Sequence, residues 1–116
     1  MANDLRLLKV IDTSSMVAGP FCAKLMADLG MEVLKIEEPP CGDPARLRGP
    51  FPEDIPDPEK SGLFLYLNVN KRGLTLNLRK KMGKDLFYKL IETADVLIDD
   101  HIPQEAEELG LDFDHL

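Results

Sequence analysis

The pattern of apolar and polar positions changes period several times along the chain, and each change marks an element. "LRLLKVID" (Leu5 to Asp12) is rich in Leu, Val and Ile without clean alternation, which suits a strand covered on both faces, as in a parallel sheet. After the turn "TSSMVAGP", Phe21, Leu25 and Leu29 recur at four-residue steps, and Pro20 is well placed as the first helical residue, where a missing N–H costs nothing. Gly30 is positioned to end that helix in a left-handed conformation, and "MEVLKI" follows as a second buried strand. Residues 5–37 therefore read as β-α-β.

Residues 39–62 hold seven of the nine prolines. Their fixed φ and missing donors oppose regular structure, so the pattern predicts a long ordered or semi-ordered excursion, of the kind that is usually functional or mobile. "LFLYLNVN" fits both alternation and continuous burial and stays ambiguous. "GLTLNL" (Gly73 to Leu78) alternates Leu with polar residues as a half-buried strand does. Met82, Leu86 and Leu90 mark a helix through "KKMGKDLFYKLIETA", in which Gly83 costs about 1 kcal/mol relative to Ala if interior. "DVLID" is a further short strand, and "IPQEAEELG" a short helix stopped at Gly110. This order is that of an open α/β sheet, whose ligands sit beyond the carboxyl ends of the strands: here the turns at Thr13–Gly19, Glu37–Pro40 and Asp99–Pro103.

At 116 residues the chain is long enough for one domain with its own core, so no disulfide is required. Cys22 falls in an apolar helical pattern and reads as buried, Cys41 as a loop thiol, both in a reducing compartment. No basic leader followed by an apolar stretch opens the sequence, and no apolar run is long enough to cross a bilayer. These features point to a soluble, cytoplasmic protein with no membrane partner. A formal charge of -7 argues against nucleic acid, which asks for a basic face. The charge is uneven: all fourteen Lys and Arg lie at or before Lys89, and nine acids with no Lys or Arg follow it, as on a solvated face.

Candidate chemistry is sparse. A strand, a glycine-bearing turn and a helix followed by Glu37 and Glu38 approximate a dinucleotide site, but one glycine stands where three are needed for close approach to a pyrophosphate. No serine sits in a G-x-S-x-G elbow. "DDH" (Asp99, Asp100, His101) lacks a second group at ligand spacing, so no metal is expected. The basic clusters "NKRG" and "RKK" serve either as phosphate holders or as solvated strand ends.

Taken together, "VIDTSSMVAGPFCAKLMADLGMEVLKIEEP", "GDPARLRGP", "LNVNKRGLTLNL", "ADVLIDDHIP" and "LGLDFDHL" resemble, in order and spacing, the N-terminal part of class III CoA-transferases, the CaiB/BaiF family. The resemblance implies an α/β fold with a Rossmann-like, mainly parallel open sheet and flanking helices. That fold would be incomplete, because residues 1–116 would form only the N-terminal segment of a larger CoA-binding domain. It implies coenzyme A as the ligand, acyl-CoA and carboxylate as substrates, and an interlocked homodimer as the intact protein. Met16, Val17 and Ala18 would lie along CoA. Leu76, Asn77, Leu78 and Arg79 would flank its adenosine portion. Asp100, His101 and Ile102 would lie near its phosphates or pantetheine.

The family contains acyl-CoA:carboxylate CoA-transferases and acyl-CoA racemases, and a non-catalytic binding or assembly module is the reading from another class. In the transferases an aspartate attacks the thioester, forms a mixed anhydride and exchanges CoA through an enzyme thioester. That aspartate lies downstream of every matched segment, so no catalytic residue is expected here and the chain alone is expected to be inactive. Family members often carry Arg where this chain has Glu38 and Glu108, Asn where it has Asp100, and Phe where it has His101. A carboxylate facing a phosphate is repulsive. Either Arg79, Lys71, Arg72, Arg46 or Arg48 meets the phosphates, or affinity is weak. Open strand edges also predict self-association.

Overall fold

A computed structural model describes residues 4–116. Four strands, β1 (Lys9–Asp12), β2 (Glu32–Glu37), β3 (Arg72–Thr75) and β4 (Val96–Ile98), form one sheet in the order β3-β2-β1-β4. Every pairing is parallel, with Asp12 opposite Lys35 and Ile98, and Glu37 opposite Thr75. The α/β fold with an open parallel sheet and flanking helices is therefore present. The chain moves outward from β1 through β2 to β3 and then crosses back to β4, so the direction of winding reverses between β1 and β4. In open α/β sheets ligands bind at such a reversal, outside the strand carboxyl ends.

Parallel strands need crossovers, and their helices cover both faces. Helix α1 (Ala18–Asp28) packs Ala23 and Ala27 on Val10 and Val33. On the other face, α3 (Lys81–Glu92) and α4 (Pro103–Leu109) join Ile11, Ile36, Leu76 and Leu78 to Phe87, Ala106, Leu109 and Leu111. A strand alternates its side chains, so Val10 and Ile11 serve opposite layers. Gly110 ends α4 at φ 75°, and Gly30 follows α1 at φ 101°, the positive values that glycine adopts without cost.

Several local expectations are corrected. Leu5–Leu7 form a 3-10 turn capped by Asp4, and β1 starts only at Lys9. Helix α1 begins at Ala18, putting Pro20 at its third position and burying it. The large residues of the four-residue repeat, Phe21, Leu25 and Leu29, face outward. Small Ala23 and Ala27 take the sheet-facing positions because they bring the helix close to Val10 and Val33. Cys22 shares the outer side and is exposed, as is Cys41.

The same inversion occurs on α3, where Met82 and Leu86 are exposed and Gly83 and Phe87 are buried. The carbonyl of Asn77 lies where a Cβ on residue 83 would sit, so this interior glycine lets two backbones touch. The ambiguous "LFLYLNVN" contains helix α2 (Gly62–Leu67), capped by Ser61, whose hydroxyl accepts from the Phe64 N–H at 3.1 Å. Strand β3 stops at Thr75 instead of Leu78 and is exposed along its length as a sheet edge. The Pro-rich excursion carries two 3-10 turns, Pro44–Leu47 and Pro52–Asp54.

Candidate functional site

The turn between β1 and α1 is built around carboxylates. Three consecutive backbone N–H groups point into it, and each meets an aspartate of this chain. Ser14 N–H donates to Asp12 Oδ1 at 2.9 Å, and the Ser14 hydroxyl donates to the same oxygen. Ser15 N–H donates to the Asp100 carboxylate at 3.1 and 3.2 Å. Met16 N–H donates to Asp43 Oδ1 at 3.0 Å. Successive N–H groups of this kind make an anion-binding concavity, and here side chains from β1, the β4–α4 turn and the Pro-rich loop fill it. Met16 has φ 67°, a left-handed backbone that this set of bonds holds in place.

Behind the turn lies a dry ionic network. Asp12 and Lys35 are opposite one another in the β1–β2 register, and both are at most 2 % exposed. Lys35 Nζ donates to Asp43 at 2.8 Å and to the Ser14 carbonyl at 2.6 Å. Lys71 Nζ donates to Asp12 at 2.8 Å, to the Pro20 carbonyl at 2.9 Å and to Asn68 Oδ1 at 2.7 Å. All three ammonium protons are used, and the side chain is 1 % exposed. Burial pulls the Lys71 amine below its ordinary value, and the bond to Asp12 only partly opposes this. Arg46 grips Glu37 through two nitrogens at 2.7 and 2.8 Å and lies over the Phe64 ring at 3.8 Å. Desolvation raises the Glu37 carboxyl, but the bonds from Arg46 and from the Asp43 N–H prevail and hold it below the usual range. Lys71 and Arg46 are thus committed inside the protein, which removes two of the five cations expected to meet phosphates.

In front of the network a cleft of about 320 Å³ opens over the carboxyl ends of β1 and β2. Its walls are Thr13–Ser15, the segment from Lys35 to Pro44, and Leu78, His101 and Glu105. Thr13 ties the floor across the winding reversal, its N–H to the Ile98 carbonyl and its hydroxyl to Asp99, both at 2.9 Å. Asp99 also accepts from His101 Nδ1 at 2.5 Å. That bond raises the His101 imidazole above 6.5, against the effect of burial. Burial pushes the Asp99 carboxyl up, and the bonds from His101 and Thr13 outweigh it and leave it below 3.8.

The residues expected at the site are placed as follows. His101 and Leu78 line the cleft. Met16 to Ala18 follow its wall on the way into α1, with Val17 and Ala18 exposed. Asn77 caps the Arg79 N–H, and Arg79 reaches Glu38 at 3.3 Å. Asp100 is engaged with Ser15, and Ile102 is exposed. Leu76 and Leu78 are core residues with 8 % and 1 % exposure, so their side chains serve the sheet–α3 interface. Among the described residues no three His, Cys, Asp or Glu side chains are grouped as metal ligands, and no helix is long and apolar enough to cross a membrane.

Sequence reasoning missed Asp43 and Lys35. Both carried a signal: Lys35 interrupts the apolar run "VLKI", where only a paired charge is stable, and Asp43 precedes Pro44 as a helix cap does.

Comparison with known proteins agrees with this architecture. The model of CoA-transferase family III matches residues 5–116. The chain is 40 % identical over 113 residues to an acyl-CoA transferase of Fusarium pseudograminearum, covering 94 % of this chain and 25 % of that protein. It is 36 % identical over 118 aligned positions to the formyl-CoA:oxalate CoA-transferase of Escherichia coli O6:H1, covering all of this chain and 27 % of the relative. Among solved structures, a CaiB/BaiF family protein from Brucella suis superposes with a TM-score of 0.83 at 32 % identity, over 96 % of this chain and 29 % of that one. A hypothetical protein from Mycobacterium tuberculosis gives 0.79 at 32 % identity, over 93 % and 28 %. The chain thus spans about a quarter of the length of its relatives. With a parallel sheet whose winding reverses beside the β1–α1 turn, and with the family model matched over nearly every residue, this chain belongs to CoA-transferase family III.

Proposed function

We propose that this chain supplies the coenzyme A-binding part of a CoA-transferase, a protein that moves CoA between an acyl-CoA and a carboxylic acid. In this reading residues 1–116 are the N-terminal segment of the CoA-binding domain, and 39–62 are its Pro-rich loop. The observation that carries the reading is the exposed shelf of Val17 and Ala18, directly after the carboxyl end of β1 and beside the winding reversal. An apolar shelf suits the pantetheine arm, which needs surface more than charge. Because the three N–H groups of the preceding turn are already occupied by Asp12, Asp100 and Asp43, the phosphates must find donors elsewhere. Arg79 is the one cation of the expected site set, and His101 stands across Glu38 from it.

The acyl-transfer nucleophile is assigned to sequence outside this chain, so the chain binds and the longer protein reacts. A homodimeric parent in the cytoplasm belongs to the same reading. The homodimer is supported by the outward apolar side chains of Phe21 and Leu25 on α1 and of Leu29 at its end, a face of the kind that marks a contact surface.

Calorimetric titration with CoA tests the binding claim. Heat with a micromolar midpoint, weakened at least tenfold by Arg79→Glu, is expected. No heat from the chain, and none from a longer protein containing it, overturns the proposal. For the intact protein, CoA exchange between an acyl-CoA and a carboxylate acceptor is the expected activity.

A further inference from the structure

Glu38 lines the cleft and stands between Arg79 and His101. Its Oε2 is 3.3 Å from Arg79 Nε, and its Oε1 is 3.9 Å from His101 Nε2. It differs from three other carboxylates beside the cleft. Glu37 is fixed by Arg46, Asp43 by Lys35 and two backbone N–H groups, and Asp99 by His101 and Thr13. Among the described residues no backbone N–H donates to the Glu38 carboxylate, although the Glu38 carbonyl accepts from Gly42 N–H at 2.9 Å, and the side chain is 27 % exposed against 55 % for Arg79. Its neighbours Pro39 and Pro40 have no N–H to offer it.

A carboxylate held by one ion pair that reaches water, and facing an imidazole at 3.9 Å, is weakly bound. We propose that Glu38 is an exchangeable internal anion: it pairs with Arg79 and faces His101, and a phosphoryl anion binds by taking its place. This deepens the function proposed above by giving the phosphate end of CoA a site. It also identifies Glu38 as the residue that sets affinity there. Removing the Glu38 charge leaves Arg79 unpaired and His101 facing only Asp99 and Glu105, so the same anion then binds without a competitor.

Two probes, inorganic pyrophosphate and CoA, are titrated into the wild-type protein and into Glu38→Gln, with the amide NMR spectrum reporting both fold and binding. The exchange predicts that Glu38→Gln tightens pyrophosphate at least tenfold, with shifts at Arg79 and His101. Glu105→Gln removes the same charge from the same cleft without freeing Arg79, and should change affinity less than twofold. In an Arg79→Gln background the effect of Glu38→Gln should fall below twofold. Equal pyrophosphate affinity for wild type and Glu38→Gln, or an equal gain from Glu105→Gln, overturns the proposal. The CoA arm separates the two readings. CoA bound equally well by both proteins leaves the function standing and removes the exchange; an enhanced pyrophosphate response with no CoA binding at all leaves the exchange standing and removes CoA.

Discussion

Two clusters of acids and bases lie within one side chain's reach of the same strand ends, and they behave oppositely. In the interior set, Asp12, Lys35, Asp43 and Lys71, every charge is at most 4 % exposed by side chain or residue and has two or more partners. In the outer set, Glu38, Arg79 and His101, the charges reach water and Glu38 is held at 3.3 and 3.9 Å. Both sets pair carboxylates with basic side chains, and sequence neighbours fall on different sides: Lys35 is interior and Glu38 outer, although only three positions separate them. Strand alternation points Lys35 into the α1 layer, whereas Glu38 has already left β2. What separates a structural charge from one available to a ligand is therefore burial and the number of partners, not charge itself.

The comparison breaks most severely at Lys71. Lys71→Met leaves the buried Asp12 carboxylate facing Lys35 only at 3.9 Å, and should cost about 3–5 kcal/mol in urea unfolding. Adding Asp12→Asn, which removes the stranded charge and keeps the acceptor for Ser14 N–H, should recover a substantial part. A mild single-mutant effect would place Lys71 with the outer set.

Gly83→Ala comes next. Alanine favours helix by about 1 kcal/mol, yet its methyl would meet the Asn77 backbone, and overpacking of this kind costs about 1–3 kcal/mol. A net loss of stability, with displaced resonances at Asn77–Arg79, is expected. A gain would mean that this connection is loose and does not fix Arg79.

His101→Gln has a smaller effect with a definite pH dependence. The imidazole is raised above 6.5 in the fold, so its contribution is full below about that pH and is lost as pH rises through the folded value. Asp99 is lowered below 3.8, so its contribution is present above that pH and is lost as pH falls through its folded value. The stability gap between wild type and His101→Gln should thus be widest between pH 3.8 and 6.5, at about 1 kcal/mol, and narrow toward alkaline pH. A gap independent of pH would show that the ring acts by packing.

Smallest in stability is Arg79→Glu. Its pair with Glu38 is largely exposed, and unfolding should change by less than about 1 kcal/mol while CoA affinity falls.

The fold was largely legible because parallel strands and crossover helices impose periods that survive without context. Elements that depend on a neighbour's shape were not. The large residues of α1 promised an inward stripe, but the approach of the helix to Val10 and Val33 admits only Ala23 and Ala27. Likewise, Met82 and Leu86 yielded the inner face of α3 to Gly83, because contact with the Asn77 backbone excludes any side chain.

At the site, the turn after β1 and the position of His101 followed from the strand ends. The roles of Lys71 and Arg46 did not, since a basic cluster in sequence looks the same whether its lysine ends in water or on a buried aspartate. Asp100 is similar: as a sequence feature it faces a ligand, and in three dimensions it holds Ser15 N–H.

The most direct measurement is a CoA titration followed residue by residue in the amide spectrum. If the shelf after β1 is the binding surface, shifts that saturate should concentrate at Met16–Ala18, Asn77–Arg79 and His101, while Glu32 and Thr93 at the opposite end of the sheet stay still. Saturating shifts confined to that opposite end, or none at any CoA concentration, would contradict it.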